Sequence, residues 1–500
     1  MSGPVGIVAA GHPLTAEAGA GVLREGGNAV DAALAALLTS WVAEPLLSGP
    51  GAGGYMLVAG AGEEPTLLDF FVAAPGHGAD LADRGDLVPV AVSFGDAEQI
   101  FNVGAAAVGV PGTPAGVAEA ARRWGRVPLA DLAAPAAAHA RVGVPLSPRQ
   151  AYVFEILEPI LRTTPEAQAA FAPGGRALRE GERFRSDELA ETIERLGRDG
   201  AEPFYRGDLA AAAVEAVAAG GGTLTAADLA RYAAIGRAPV RARYRGREVL
   251  TNPPPSAGGI LLALALGLLD ERVAHEPPVR PALADLVAVM AEAQAARDHR
   301  FLAGLAEEGF QERFLAASRL GSTTHVSVLD GDGRACSVTT TNGEGSGVLV
   351  AGTGIHLNNV MGEEDLSPLG FFHDPPGRRM PSMMAPTVVL DASGEVQIVL
   401  GSAGSNRIRS ALLQTIVNVV DRGMAAADAV LAPRVHFEDG VIFAEPGIPV
   451  DELHALGHRV APFRERNLFF GGVQAVERDP ATGVLSGAGD PRRGGAAVAA

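Results

Sequence analysis

The chain runs to 500 residues, with 40 basic against 58 acidic side chains and a formal net charge of −18, and every basic residue is an arginine. With no lysine there is no Schiff-base or P-loop lysine, which excludes lysine-dependent carbonyl chemistry and phosphate clamping by a Walker motif; the acidic balance argues against a nucleic-acid partner. A composition that is 47% hydrophobic and 20% charged is ample for a packed interior in several domains or one large layered one, and the single Cys336 forbids both an intramolecular disulfide and a zinc site built on several thiolates.

In chain order, the start has no basic segment or long apolar core, and no run approaches about eighteen uninterrupted apolar residues, so a cytoplasmic protein with no membrane partner is expected. Apolar residues recur at helical spacing from Thr15 to Leu38, with a stop and restart at Gly26-Gly27-Asn28. The second of these helices, Ala29 to Trp41, is rich in Ala and Leu and reads as buried nearly all round. A glycine-rich turn, Ser48 to Gly54, leads into an apolar strand, Tyr55 to Val58. Further helices are predicted at Pro114–Trp124, Asp187–Arg195, Leu209–Ala219, Ala226–Ala233, Ile260–Leu269 and Ala282–His299, with a rigid proline-rich connector at Asn252–Ser256. From Thr323 the pattern turns to β. Hairpins are predicted at His325–Leu329 with Arg334–Thr341, at Thr387–Leu390 with Glu395–Leu400, and at Val473–Glu477 with Val484-Leu485, and a helix at Ser410–Asp421. Helices and antiparallel hairpins segregated in this way indicate an α+β fold with sheets between helical layers.

Three stretches carry groups suited to chemistry. Ser322-Thr323-Thr324-His325 stands where the helical part meets the β part; a hydroxyl opening a buried strand is a nucleophile if a base stands beside it, although threonine is also simply a good strand former. Gly401 to Arg407 follows a strand and precedes a helix, a place where successive N–H groups hold an anion or where glycine merely permits a tight turn. Gly354 to Asp365 crowds two Asn and three carboxylates into a loop that is either solvated or binding. The Gly49–Gly54 run fails as a dinucleotide fingerprint because its glycines precede a strand instead of following one. Cys336 sits mid-strand and reads as packing. There is no HExxH motif, so no metal or other cofactor is expected.

At these residues the sequence resembles the γ-glutamyltranspeptidase family of N-terminal-nucleophile hydrolases. The likeness rests on PLTAEAGAGVLREGGNAVDAA (Pro13–Ala33), EPLLSGPGAGGYMLV (Glu44–Val58), LDF followed by AAP (Leu68–Pro75) and AVGVPGTPAG (Ala107–Gly116). It continues in TTHVSVLDGDG (Thr323–Gly333), GSGVLVAGTGIHLNN (Gly345–Asn359), PSMMAPT (Pro381–Thr387), GSAGSNRI (Gly401–Ile408) and DPR (Asp490–Arg492). The resemblance implies a four-layer αββα sandwich made as one precursor that cuts itself between Ser322 and Thr323. The products would be a large chain, 1–322, and a small chain, 323–500, held together as a heterodimer. Thr323 would be the nucleophile with its own α-amine as base, Thr341 would orient it, and Gly404 and Ser405 would form the oxyanion hole. Asn342, Ser382 and a carboxylate at Asp365, with Glu364 beside it, would hold a small-molecule γ-glutamyl or related acyl amide. Counting forward from Asn359 instead selects Glu363.

The sequence also departs from the family pattern. Phe71 stands where the family usually has an Arg that clamps the γ-glutamyl α-carboxylate, and Met383 replaces the second of two serines. These departures resemble the cephalosporin-acylase branch, which takes a glutaryl-type acyl group. An inactive binding paralogue is a third reading, opposed by the intact Thr323, Thr341 and glycine turn.

Overall fold

The computed structural model describes residues 5–93, 98–274, 280–295, 324–367 and 370–500. Two sheets dominate. The strands that build them are β1 (Gly6–Ala10), β2 (Gly53–Gly60), β3 (Glu63–Phe70), β4 (Ile235–Arg237), β5 (Val240–Tyr244), β6 (Arg247–Thr251), β7 (Thr324–Asp330), β8 (Arg334–Thr341), β9 (Thr387–Leu390), β10 (Val396–Ala403), β11 (Gly472–Arg478), β12 (Leu485–Gly489) and β13 (Ala496–Ala499). The first sheet has the order β13-β1-β7-β8-β2-β3-β4 and the second β12-β11-β10-β9-β6-β5, all pairs antiparallel.

Period-two alternation divides each strand between two environments. In β1, Val8 and Ala10 enter a cluster with helices from the first half of the sequence, while Ile7 and Ala9 enter a second cluster to which both sheets contribute. Met56 and Val58 of β2 oppose Tyr55, Leu57 and Ala59 in the same way. In the second sheet Val388 and Val399 join the shared cluster. Val389, Ile398 and Leu400 instead face a third cluster, with α3 (Gly258–Arg272), α4 (Leu283–Ala295), α5 (Arg407–Val420) and α6 (Ala426–Leu431).

Against the first sheet pack two helices, α1 (Pro13–Arg24) and α2 (Ala29–Ala43), separated at the Gly-Gly-Asn stop. The second is buried at every position and starts in a capping box: Asn28 Oδ1 accepts from Val30 N and Asp31 N, and Asp31 Oδ2 accepts from Asn28 N. The predicted helices are present, with ends shifted by a few residues, and of Ala282–His299 the part 283–295 is described as helix while 296–299 lie outside the described residues. Strand β1 and the helices Leu129–Val142 and Pro148–Leu161 are additional to the predicted set. Cys336 is fully buried in β8, and burial pushes its thiol up, as expected of a packing residue. Among the described residues no helix is long and apolar enough to cross a membrane.

Candidate active site

Ser322 and Thr323 lie outside the described residues. The described chain resumes at Thr324, which pairs with Thr340 at the open end of the β7–β8 hairpin. Thr341, the last residue of β8, turns its Oγ1 back to accept from Gly343 N at 2.8 Å, which starts the loop that follows. Asn342 is fully buried, with Nδ2 donating to His356 O at 3.2 Å and Oδ1 unpartnered among the described residues. The two later asparagines have separate tasks. Asn358 ties the Gly-rich turn in place, donating to Gly51 O and Gly109 O, while Asn359 Oδ1 accepts from Glu344 N. A Cβ at Gly51 would fall 2.2 Å from His356 O, so that glycine run serves close packing against this loop.

Of the carboxylates in the loop, Glu363 is buried. A Cβ on Gly343 would meet its Oε1 at 2.4 Å and Asn359 Oδ1 at 2.1 Å, so Glu363 stands beside the Asn342-Gly343 step. Glu364 is exposed, and Asp365 follows it in the short 3₁₀ turn Glu364–Leu366.

Beyond β10 the chain takes two successive left-handed steps, Gly404 with φ 120° and Ser405 with φ 56°, before entering α5. A Cβ at Gly404 would lie 2.6 Å from Gly471 Cα, so only glycine fits the first step, and Ser405 holds a conformation that L-residues seldom adopt. Gly404 O and Ser405 O accept from Arg407 N and Ile408 N, which commits both carbonyls to the first turn of the helix.

Two charged groups in this neighbourhood carry no prediction from the sequence. Glu44, the residue that ends the buried helix, accepts from Thr324 Oγ1 at 3.2 Å and packs on Gly11. Burial pushes its carboxyl up to about 7, against the lowering effect of Thr324 and of Arg493. Arg493, half-buried, packs against Gly404 and Gly472, and desolvation of its guanidinium, reinforced by Arg407, pushes it down to about 10. The motifs EPLLSG and DPR border these two residues, which is the only signal the sequence offers for them.

Ser382 is buried, and its Oγ accepts from Met384 N at 3.0 Å; its carbonyl accepts from Ala257 N and Ser256 Oγ, so the proline-rich connector is fastened to this segment. Phe71 is fully buried in the cluster shared by the two sheets, its ring stacked on Tyr55 at 5.5 Å. Two arginines of the described residues that reach Asp69 beside it are already engaged. Arg379 Nε donates to Asp69 Oδ1 at 3.2 Å with its guanidinium 4.2 Å from the Tyr232 ring, and Arg237 takes the other oxygen of Asp69 at 2.8 Å. His454 and His458 stand four residues apart, but the helix Val450–His454 ends at the first of them, and His458 packs edge-on against Phe437.

The family model for gamma-glutamyltranspeptidase matches residues 15–303 and 303–500. An acylase ACY 1 proenzyme of Pseudomonas sp. (strain V22) is 33% identical, the match covering 100% of this chain and 94% of that protein. A glutathione hydrolase proenzyme of Bacillus subtilis (strain 168) is 31% identical over 99% of this chain and 92% of its own. Among solved structures, the cephalosporin acylase from Bacillus halodurans superposes with a TM-score of 0.84 at 28% identity, covering 100% of this chain and 96% of the other.

Proposed function

The chain belongs to the gamma-glutamyltranspeptidase family and is an amidohydrolase or acyltransferase of that family, and on this premise we propose that Thr323 carries the acyl group. The Thr323 hydroxyl first attacks the Ser322 carbonyl, shifting that acyl group from nitrogen to oxygen; water then cleaves the ester, leaving a carboxylate on Ser322 and a free α-amine on Thr323. In turnover the α-amine, with an ordinary pKa near 8, takes the hydroxyl proton as the oxygen attacks the substrate amide, and passes it to the departing amine. Water or a second amine then releases the acyl group from the Thr323 ester.

The observation that carries this reading is the pair of devices at adjacent ends of the two sheets. Thr341 closes β8 one residue beyond the Thr324–Thr340 pair, and the left-handed Gly404-Ser405 step follows β10. In this proposal Thr341 orients Thr323, and the N–H groups of Gly404 and Ser405 receive the developing oxyanion, where one lost donor typically costs roughly 3–4 kcal/mol. Asn342 and Ser382 hold the substrate, with a carboxylate from Glu363, Glu364 or Asp365. The alternation of apolar clusters between helices and sheets supports a four-layer αββα sandwich, split into chains 1–322 and 323–500 that remain a heterodimer. Phe71 and the commitment of Arg379 and Arg237 to Asp69 leave these positions without an arginine for the α-carboxylate of a γ-glutamyl group, which favours the reading of an acylase for a non-glutamyl amide. The test is a denaturing gel. Wild type is expected to convert from one 51.0 kDa chain to two, and Thr323→Ala to remain single; a single band from both would overturn self-processing.

A further inference from the structure

The layer between the two sheets is apolar along most of its length, and a polar cluster interrupts it around His325. The cluster lies two residues short of Thr341 on β8 and three short of Gly404 beyond β10. At its centre is His325 of β7, fully buried. Ser327 Oγ donates to Gln474 O of β11 at 3.0 Å, and Ser337 Oγ donates to Leu400 O of β10 at 3.0 Å. Both hydroxyl hydrogens are thereby used, and both oxygens face His325 Nε2, at 2.8 and 3.4 Å. That accounting sets the tautomer: Nε2 carries the proton and Nδ1 accepts from Thr339 Oγ1 at 2.7 Å. Ser337 Oγ also accepts from Thr387 N of β9 at 3.1 Å.

Packing is as selective as the hydrogen bonding. A Cβ on Gly401 would fall 2.2 Å from His325 Cε1 and 2.3 Å from Nδ1, so glycine alone lets the imidazole lie against the β10 backbone. Burial pushes the ring down to about 3, and it stays neutral at physiological pH. The cluster thus joins β7 and β8 of the first sheet to β9, β10 and β11 of the second: Ser327 and Ser337 make the hydrogen bonds that cross between the sheets, and the uncharged His325 ring, bonded to both of them and to Thr339, crosses by packing on Gly401.

We infer that His325 is a positioning residue for acyl transfer, fixing the offset between the strand that follows Thr323 and the strand that delivers Gly404 and Ser405. The inference rests on Thr323 being the nucleophile. A nucleophile on one sheet and an oxyanion turn on the other keep their distance only through what joins the sheets. A fully satisfied hydrogen-bonded cluster, in which the ring orients the two serines that bond across, holds that distance more tightly than apolar contacts do. A misplacement of about 1 Å costs roughly a hundredfold in rate.

Three variants test it. His325→Leu keeps much of the volume and removes all the ring's hydrogen bonds; Thr339→Val is isosteric and removes only the bond to Nδ1. Leu453→Ala, in the helical cluster behind the second sheet, is a destabilised control. Each is assayed for self-cleavage, for thermal midpoint, and for kcat and KM on whichever acyl anilide the wild type turns over. Both cluster variants are expected to cleave slowly and, once cleaved, to lose about 10- to 100-fold in kcat with KM held within about twofold. Leu453→Ala is expected to lose thermal stability and keep kcat. Wild-type kcat in the cleaved cluster variants, whatever their thermal midpoint, overturns the inference. If His325→Leu does not accumulate as folded protein, Thr339→Val decides by the same criterion. A wild-type chain that never self-cleaves overturns the nucleophile reading and with it the role of His325, whereas a cleaved wild type with unimpaired variants overturns that role alone.

Discussion

Burial pushes the Glu44 carboxyl up to about 7, which makes this residue a source of pH-dependent stability. A carboxyl raised in the folded state favours folding when protonated. Its contribution is therefore fully present below the unfolded value of 4.5 and is lost as pH rises through about 7. The groups that face it are the Thr324 hydroxyl, the Gly11 backbone and Arg493, the last of which limits the effect. Glu44→Gln keeps the shape and removes the titration, so the variant is expected to gain stability over wild type at pH 8, by at most about 3 kcal/mol, and to lose that advantage toward pH 4.5. Thermal midpoints of the two proteins across that range check it, and a pH-independent difference would count against a buried, titrating Glu44. Position 71 governs a second prediction. A γ-glutamyl donor brings an α-ammonium and an α-carboxylate that must each be paired once desolvated, and a charged hydrogen bond left unmade costs about 1.5–3 kcal/mol. Phe71 offers no such partner, and Arg379 and Arg237 are spent on Asp69. An acyl anilide that carries neither group, such as the butyryl anilide, is therefore expected to exceed the γ-glutamyl anilide by about tenfold or more in kcat/KM. Equal turnover would show that another group supplies the clamp.

At the scale of elements, what was legible in the sequence followed from local periodicity. The β7–β8 hairpin announces itself through alternation on either side of Asp330-Gly-Asp-Gly333, and Asp330 repays the expectation: its Oδ1 accepts from Asp332 N and Arg334 N in the turn. Its Oδ2 reaches Ala29 N, at the start of the buried helix, which no local pattern reveals. The helices Leu129–Val142 and Pro148–Leu161 were hidden by Pro135 and Pro159, breaker residues that these helices accommodate inside. Strand β1 is five residues of Gly, Ile, Val and Ala, too short to show a period, and it exists because β7 and β13 flank it. The same limit applies to the site. The glycine turn stands in a motif and Thr341 closes a predicted strand, whereas the contacts of Glu44 and Arg493 and the link between His325 and Gly401 depend on residues far apart in sequence meeting in the fold. Gly401 shows the difference: as part of a glycine turn it suggests a cradle for an anion, and in the fold its missing Cβ makes room for the imidazole of β7.

At the scale of the whole molecule, the proposed cut before Thr323 severs the chain without separating its structure. Strands β1 to β6 precede that point and β7 to β13 follow it, yet they interleave: β1 lies between β7 and β13, β2 pairs with β8 from Gly53↔Thr341 to Gly60↔Arg334, and β6 pairs with β9. The helix-backed cluster of the first sheet, the shared layer and the cluster behind the second sheet each draw residues from both sides of residue 323. Pulling the fragments apart would open paired strand edges in both sheets and expose all three apolar clusters at once. Such a cost behaves like unfolding and not like the dissociation of two domains. Because the contact is apolar and backbone-paired, salt should not weaken it as it would a surface charge pair. The two chains of the processed protein are therefore expected to co-elute in gel filtration even at roughly 1 M salt. In urea they should part over the same concentration range in which far-ultraviolet circular dichroism is lost. Recovery of a separate chain with native dichroism, in the absence of denaturant, would mean that the strands beyond residue 323 hold a fold of their own and that the interleaved order does not bind the halves together.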